Sequence, residues 1–449
     1  MAIGNVYGSS PYVNALKVLQ EGGIEEWLHN EESFFKKITA KFNKKDLQGK
    51  KIILAAKEAL GHPAVGFVAY NGNFKTVKRV SYENLELEPK YLTAHLEVDR
   101  VENELAKTDL GSYVRLWGDE IASKNQAMAQ QLSRSIFGDG SGVLGTFASE
   151  TTDATPTPDR GIIQLSTAAS AKGFIGWLEK DDEVKIVDPA TGNSRTLGAA
   201  ATKARVFDID LDNSKATLIA IDNTGAEVDW STVGVTAGDY IVREGVTFTS
   251  SATIVDSASE ELVGFDGIVD DATTTLFGVN RANVPIFKGQ VKDMSGALLG
   301  TDALHSLAKK IGLQGGKPKI IIGSYDSYIR LAEIGESMRS VITSPSTDVT
   351  LGIDTIKYVS PTGGAIPIVN CRYCPTNKLY MLDTDTFEFR GKEPEFVTIN
   401  GEVERLQAAS GGGYTNKVTA ELFGMMAVLC KNPSKNGKLE NFSNIDVTP

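Results

Sequence analysis

Cysteine is scarce in this chain. Cys371, Cys374 and Cys430 are the only three among 449 residues, an odd, small count that fits a reducing compartment. Cys371-Arg-Tyr-Cys374 has the C-x-x-C spacing, but zinc needs two more ligands at sensible spacing. His29, His62, His95 and His305 are scattered, so two buried or half-buried thiols are expected there. Four histidines are also few for general acid–base work, and neither G-x-S-x-G nor H-E-x-x-H occurs. No apolar run is long enough to span a bilayer. The opening Met-Ala-Ile-Gly-Asn-Val-Tyr-Gly lacks a basic n-region and an apolar h-region, so no secretory signal is expected. A basic balance is missing as well. The formal charge of −11 argues against a protein whose work is gripping nucleic acid, because phosphate contacts dominate such affinity; it leaves room for local basic segments. There is no internal repeat and no low-complexity tail.

What the chain has is length and patterning. Hydrophobic residues make up 41% and charged residues 23%, a globular composition with room for two or three domains. The most informative stretch is Thr108 to Gly142. Asp109 is a good N-cap, and Leu110, Tyr113, Val114, Trp117, Ile121, Met128, Leu132 and Ile136 recur at helical spacing. Gly138 falls where a left-handed C-cap is wanted. Such a rod is roughly 40 Å long, which suits a spine along one edge of a flat molecule.

Upstream, residues 24–45 read as an amphipathic helix with divided charge. Glu25, Glu26, Glu31 and Glu32 come first, and Lys36, Lys37, Lys41, Lys44 and Lys45 follow, which complements the helix dipole. Trp27, Leu28, Phe34, Phe35, Ile38 and Phe42 form its apolar side. That side either packs on its own domain or lies on a neighbouring subunit. Residues 64–98 read as extended arms. Val65–Tyr70 is a candidate strand, Asn71-Gly72 a hairpin turn, and Phe74–Tyr82 a basic limb with Lys75, Lys78 and Arg79. The next limb is acidic, with Glu83, Glu86 and Glu88 around Leu85 and Leu87. Leu92, Ala94, Leu96 and Val98 then alternate with Thr93, His95 and Glu97. The charges are either solvated bystanders or the means of setting register against other copies.

Thr146–Gly161, rich in Thr, Asp, Pro and Ser, is expected to be a loop or linker, and Thr249–Glu260 is similar. Between them, short strands at regular spacing (182–187, 203–211, 215–221, 238–243) predict an all-β domain over 174–248. From 264 onward the pattern is α+β. Thr301 and Ser324 are expected to cap helices, and Gly315-Gly316 to end the first. Strands are expected at Lys319–Ile322, Ile353–Val359, Ile366–Val369, Lys378–Leu382 and Glu395–Ile399. Tyr414–Val428 has period two in Val418, Ala420 and Leu422, as a terminal strand returning towards the spine helix would.

The chemistry-bearing patterns are weak. Gly138-Asp139-Gly140-Ser141-Gly142 follows a helix instead of opening one and lacks the Gly-Lys-Ser/Thr ending, so it is not a phosphate loop. Asp208, Asp210 and Asp212 hint at a calcium loop. Asn213 and Ile219 stand where its glycine and final carboxylate belong, and a two-faced strand explains the acids better. Asp383 and Asp385 read as strand-end turn residues, and Gly411-Gly412-Gly413 as a loop. No catalytic, metal or cofactor site is expected.

The order of these parts resembles the major capsid proteins of tailed bacteriophages, with the Hong Kong ninety-seven type fold. Ile136-Phe137-Gly138-Asp139-Gly140-Ser141-Gly142 is similar to that family's spine-helix exit. Gly264-Phe265-Asp266-Gly267-Ile268-Val269-Asp270, leading to Gly278-Val279-Asn280-Arg281, is similar to the entry into its axial domain. The run of helix, Lys319–Ile322 strand, helix and Ile366-Pro367-Ile368-Val369 is the third match. The resemblance implies an α+β phage capsid fold with an N-terminal arm (1–60), an extended loop (61–98) and a spine helix with the start of a peripheral domain (99–145). An all-β insertion domain (174–248), an axial domain (264–394) and return strands of the peripheral domain with a tail (395–449) complete it. The arm is too short for the cleaved scaffolding segment some members carry. Implied function is structural: self-assembly through hexamers and pentamers into an icosahedral head shell around double-stranded DNA, in the virion after assembly in the host cytoplasm. Implied partners are scaffold and portal proteins and a decoration protein, without membrane and without sequence-specific DNA binding. Candidate intersubunit contacts are Lys75, Lys78, Arg79, Glu83, Glu86, Glu88, Trp27, Phe34 and Phe35. An encapsulin-like compartment shell is the alternative, an α+β enzyme a more distant one, and an adhesin-like module would account for 174–248 alone.

Overall fold

The computed structural model describes residues 34–45, 51–59, 68, 72–73, 79–99, 101, 116–168, 171–198, 201–246, 248, 261–337, 356–361, 364–396, 405–408 and 414–444. The chain forms two compact units. One comprises Met1–Lys37, Lys90–Ser133 and Gly391–Met426; the other comprises Ile38–Pro89, Arg134–Arg390 and Ala427–Pro449.

In the first unit the amphipathic pattern becomes a helix, Leu116–Ser135, of 20 residues, about 30 Å long at the α-helical rise. Asp109, Leu110, Tyr113 and Val114 lie outside the described residues. A sheet backs the helix. The Tyr414–Cys430 strand pairs antiparallel with Lys90–Asp99, from Lys417 opposite Asp99 to Met426 opposite Lys90, and with Arg405–Ala408. Period two does the rest. Leu96, Ala420 and Leu422 turn one way and bury Met128, with Leu92, Ala94 and Ile121 packed around them. The Leu92–Val98 alternation, read as an arm limb, thus serves this helix-backed sheet. The reason is that its backbone pairs over ten positions with the Tyr414–Cys430 strand, while its apolar face finds Ile121 and Met128 of the helix.

The predicted helix over 24–45 is shorter where it is described. It spans Phe34–Thr39, and the chain then enters a strand, Asn43–Lys45, parallel to the Phe387–Phe396 strand. Phe42 explains the break. Its ring stacks on Phe387 at 4.9 Å between centroids and meets Phe265 edge-on at 6.4 Å, a burial that a further helical turn would forfeit.

The second unit holds a six-stranded sheet in the order Gln290–Asp293, Gly437–Glu440, Lys378–Leu382, Ile320–Gly323, Gly364–Asn370, Lys357–Ser360. Helix Thr301–Leu313 lays Leu304, Leu307 and Ile311 on it, and helix Tyr325–Ser337 adds Leu331 against Ile321, Leu379, Met381 and Leu439. Ser324 caps as predicted, its Oγ accepting from Ser327 N–H at 3.2 Å. The first helix differs: Gly300, not Thr301, is its N-cap, and no side chain caps it. Gly315 ends it at φ +73°, the left-handed conformation glycine tolerates.

A closed barrel is the second element of this unit. Lys215–Ile221 pairs with Arg160–Leu165, that strand with Val143–Asp153, and the latter with Tyr240–Arg243. Tyr240–Arg243 continues to Glu183–Val187, which pairs with Lys203–Asp210, and that strand returns to Lys215–Ile221. Every pairing is antiparallel, and closure leaves no free edge among these six strands. The expected linker at Thr146–Gly161 is therefore mostly strand. Its threonines suit a pleated surface, and Val143, Leu144, Phe147, Ile163 and Leu165 on these strands are buried. Only the short 154–159 connection keeps the turn character that composition predicted.

Candidate assembly surface

The described part of the arm is a two-stranded ribbon. Ile52–Ala59 runs antiparallel to Ser81–Leu87, with Ile52 opposite Leu87 and Leu54 opposite Leu85. The strand at Ile52–Ala59 was not among the sequence expectations; the expected Asn71-Gly72 turn lies largely outside the described residues. Ile52, Leu85 and Leu87 are buried at the root. Glu86 fixes that root to the same unit. Its side chain pairs with Lys51, and its backbone N–H donates to the Phe277 carbonyl at 2.7 Å. Phe277 (φ +50°) and Gly278 (φ +77°) form the turn between strands Thr275–Leu276 and Val279–Asn280.

The candidate contact residues separate on this frame. Glu83, Glu88 and Arg79 are exposed, and Glu86 is half-buried. Phe34 and Phe35 are buried in their own chain, with Phe35 N–H donating to Ser133 Oγ at 3.2 Å. Their apolar surface is covered inside the subunit, which favours the own-domain reading of that helix at these two positions. Trp27, Lys75 and Lys78 lie outside the described residues.

The two glycine-bearing segments meet. Phe265 N–H donates to the Ile136 carbonyl at 2.7 Å, and Gly264 N–H to the Gly138 carbonyl at 3.1 Å. Gly138 is not the left-handed residue; Gly140 (φ +85°) and Gly142 (φ +75°) are. Asp139 accepts from Ser141 N–H at 2.9 Å and pairs with Lys172 at 2.7 Å. Arg281 is fully buried and staples the second segment. It donates to the carbonyls of Thr274 (3.0 Å), Asp270 (3.1 Å) and Gly267 (3.3 Å), and to Thr274 Oγ1 at 2.7 Å.

Two ionic clusters were not anticipated from sequence. In the first, Asp266 pairs with Lys378 at 2.7 Å and Lys438 at 3.1 Å, and Lys438 also reaches Asp270 and Glu440. Burial works to raise the Asp266 pKa, but the two lysines outweigh it and hold the carboxyl well below the usual range. Burial likewise works against the Lys438 charge, and Asp266, Asp270 and Glu440 overcome it and raise its pKa. In the second, Glu388, only 1% exposed, takes Lys431 at 2.5 Å, Lys45 at 2.9 Å and Arg390 at 3.0 Å. Burial pushes its pKa up, and the three cations bring it down to about 2. A signal existed. Lys378 stands in an otherwise apolar strand, and Phe387-Glu-Phe-Arg390 places Glu388 and Arg390 on one face at period two. A charge in such a run implies a partner.

The C-x-x-C thiols are buried, and burial raises the Cys374 pKa, with Cys371 adding to it. Their loop is a seat. Tyr373 carbonyl accepts from Trp177 Nε1 at 2.7 Å, joining the barrel to the six-stranded sheet. Asp383 accepts from Asp385 N–H and Lys317 N–H, as a strand-end turn residue does. Asp210 is bound by Asn213 within its own turn. Among the described residues no group of three or more His, Cys, Asp or Glu side chains gathers as metal ligands, and no described helix is long and apolar enough to cross a membrane.

No curated protein matches the sequence. The chain is similar in structure to the subunit of the cyanophage A-1(L) capsid, at 13% identity and a TM-score of 0.54, with 94% of this chain and 97% of that chain covered; this likeness is one of fold. It is also similar to a Mycobacterium phage Cain structure (11% identity, TM-score 0.44, 94% and 93% covered). A third is the holo-SrpI encapsulin complex of Synechococcus elongatus PCC 7942 (7% identity, TM-score 0.43, 96% and 95% covered). Residues 118–443, well over half of the chain, match the SU10 major capsid protein family. This stretch runs from the spine helix through the barrel and the six-stranded sheet to the last strand, and the chain belongs to that family: it is a major capsid protein, a structural component of the virion that forms the shell of a phage head.

Proposed function

We propose that the subunits join into hexamers and pentamers of an icosahedral shell around double-stranded DNA, and that the charged arm sets their register. The carrying observation is the arm itself. Its root is buried and clamped through Glu86 to Phe277, while Glu83 and Glu88 on the same limb stay exposed. A ribbon fixed at one end with charges exposed along it is built to reach a second molecule. Lys75, Lys78 and Arg79 pair with such acids on an adjacent copy. Heterologous contacts of this kind close into rings and then shells, and each stays modest because many engage together. The helix-backed sheet serves as the peripheral domain, the six-stranded sheet as the axial domain, and the barrel as an insertion domain available to a decoration protein. Scaffold and portal proteins complete the assembly.

The acidic balance fits an interior that holds DNA loosely enough to let it move in and out. The deciding experiment reverses Lys75, Lys78 and Arg79 together to glutamate and scores particles by negative-stain electron microscopy. Loss or misclosure of particles is expected; an unchanged yield of closed particles removes the arm from the mechanism.

A further inference from the structure

Cys371 and Cys374 share one turn. Cys374 N–H donates to the Cys371 carbonyl at 3.2 Å. This is the i to i+3 bond of a β-turn, in which the outer Cα atoms lie less than about 7 Å apart. A disulfide spans about 4.4–6.8 Å between Cα atoms, so the spacing of this turn admits one. Burial raises the Cys374 pKa and Cys371 raises it further, which places the two sulfurs within electrostatic reach of each other. The turn is also held from outside. Cys371 N–H donates to the Gly323 carbonyl at 3.0 Å, and the Tyr373 carbonyl accepts from Trp177 Nε1 at 2.7 Å. Arg372 and the Tyr373 hydroxyl reach the Glu179 carboxylate at 3.8 and 3.4 Å. The Cys374 Sγ contacts with the Lys378 and Pro375 carbonyls are long, at 3.5 and 3.8 Å, so little is lost when that proton leaves. The third thiol is engaged elsewhere: Cys430 Sγ lies 3.6 Å from Thr386 Oγ1 and 3.5 Å from Asn436 Nδ2. Zinc needs further ligands, and among the described residues no third one joins this pair.

We propose that Cys371 and Cys374 are a modification site: they close into a disulfide once the particle has left the cell, and the bond fixes the turn on which the barrel is seated. The chain is a component of the virion. Cells keep thiols reduced and the surroundings of a virion do not, so the same turn meets both conditions. The reaction is thiol–disulfide exchange with a low-molecular-weight disulfide. Cys371, 4% exposed against 0% for Cys374, reacts first. Its thiolate attacks one sulfur of the small disulfide, that S–S bond breaks, and one thiolate leaves. Cys374 then attacks the Cys371 sulfur and expels the second. Two cysteine sulfurs are oxidised, the small disulfide is reduced to two thiols, and the two cysteine protons end on those thiols. Burial keeps the thiolate fraction low, so each step waits on local opening of the turn. Oxidation is therefore slow and follows assembly, and the same burial shields the closed bond from reductants.

The test divides purified particles into a portion kept in reductant and a portion moved into oxidised glutathione. Both are unfolded in guanidinium with N-ethylmaleimide, and the intact chain mass is measured. The chain has three cysteines, so a reduced chain takes three maleimides and a bridged one takes a single maleimide, on Cys430. Three and one are the expected results. Cys430→Ala is expected to take two when reduced and none when oxidised. Cys374→Ser lacks the resolving thiol and is expected to stop at the mixed disulfide, with one glutathione on Cys371 and one maleimide on Cys430. In oxidised wild-type particles amide exchange is expected to slow several-fold at 175–178 and 371–374. Three maleimides on the oxidised wild-type chain, or a glutathione retained on it, overturns the proposal. So does a Cys430→Ala chain that takes two maleimides in both portions, which means that the pairing needs Cys430. A bridged chain with unchanged exchange at the turn overturns the role given to the bond. Wild type and Cys430→Ala decide the pairing even where Cys374→Ser fails to fold.

Discussion

Phe265 closes on Ile136: its N–H donates to the Ile136 carbonyl at 2.7 Å, and its ring meets that of the next residue, Phe137, edge-on at 5.8 Å. The exit of the spine helix and the entry to the six-stranded region are therefore one joint. Gly264 makes it possible, because a Cβ there would lie 2.3 Å from the Ile136 oxygen.

Gly264→Ala is expected to cost about 3 kcal/mol or more, since backbone atoms cannot give way as a flexible side chain can. Gly300→Ser is the contrast. A Cβ at Gly300 meets nothing within 4 Å, and serine supplies the cap that helix lacks, so a gain of a few tenths of a kcal/mol is expected. Urea denaturation of both variants checks the pair; equal stabilities would refute the steric account.

Arg281→Lys is expected to destabilise by roughly 2–4 kcal/mol despite preserving charge. The guanidinium serves three carbonyls and a hydroxyl from one plane, a fork that an ammonium cannot reproduce. A thermal midpoint within a degree of wild type would contradict this.

The ionic clusters fix the pH response. The Glu388 pKa is lowered from 4.5 to about 2 on folding. Its contribution is therefore complete above about pH 4.5 and lost as pH falls towards 2. Asp266, held below its usual 3.8, adds loss of the same sign below about pH 4. Lys438 is raised above 10.5, so its contribution is complete below that value and lost only as pH rises through the elevated one. Glu388→Gln is expected to be less stable at neutral pH and to decline less steeply between pH 4.5 and 2. Parallel curves for variant and wild type over that window would refute the assignment.

Trp177→Phe keeps the ring burial but removes the Nε1 hydrogen bond to the Tyr373 carbonyl. A cost of about 1–2 kcal/mol is expected. Amide exchange should rise at 175–178 and 371–374 and stay unchanged in the barrel strands. Exchange that rises throughout the barrel would mean the loop supports its fold and not only its seat.

Where a signal was local, it could be read from the sequence. Leu92, Ala94 and Leu96 alternate, as do Ala420 and Leu422, and both sets face the helix carrying Ile121 and Met128. Ser324 caps where a cap was expected. The exposed acids of the arm, Glu83 and Glu88, were visible as a charge pattern. Local composition misled at Thr146–Gly161, where threonine in a barrel strand looks like threonine in a linker. It misled again at 40–45, where one aromatic, Phe42, ended a helix whose charge pattern ran on.

The sequence by itself determined most of the helices and strands from residue 116 onward and which face of each is apolar, because those preferences act between residues a few positions apart. Only the tertiary structure decided that six strands close into a barrel and that residues 136–142 and 264–270 share one joint. It alone decided that Lys45, Arg390 and Lys431 converge on Glu388. The physical reason is distance along the chain. A carboxylate held by cations from opposite ends of a polypeptide leaves no periodicity, and its partners are chosen by the packing of the elements that carry them.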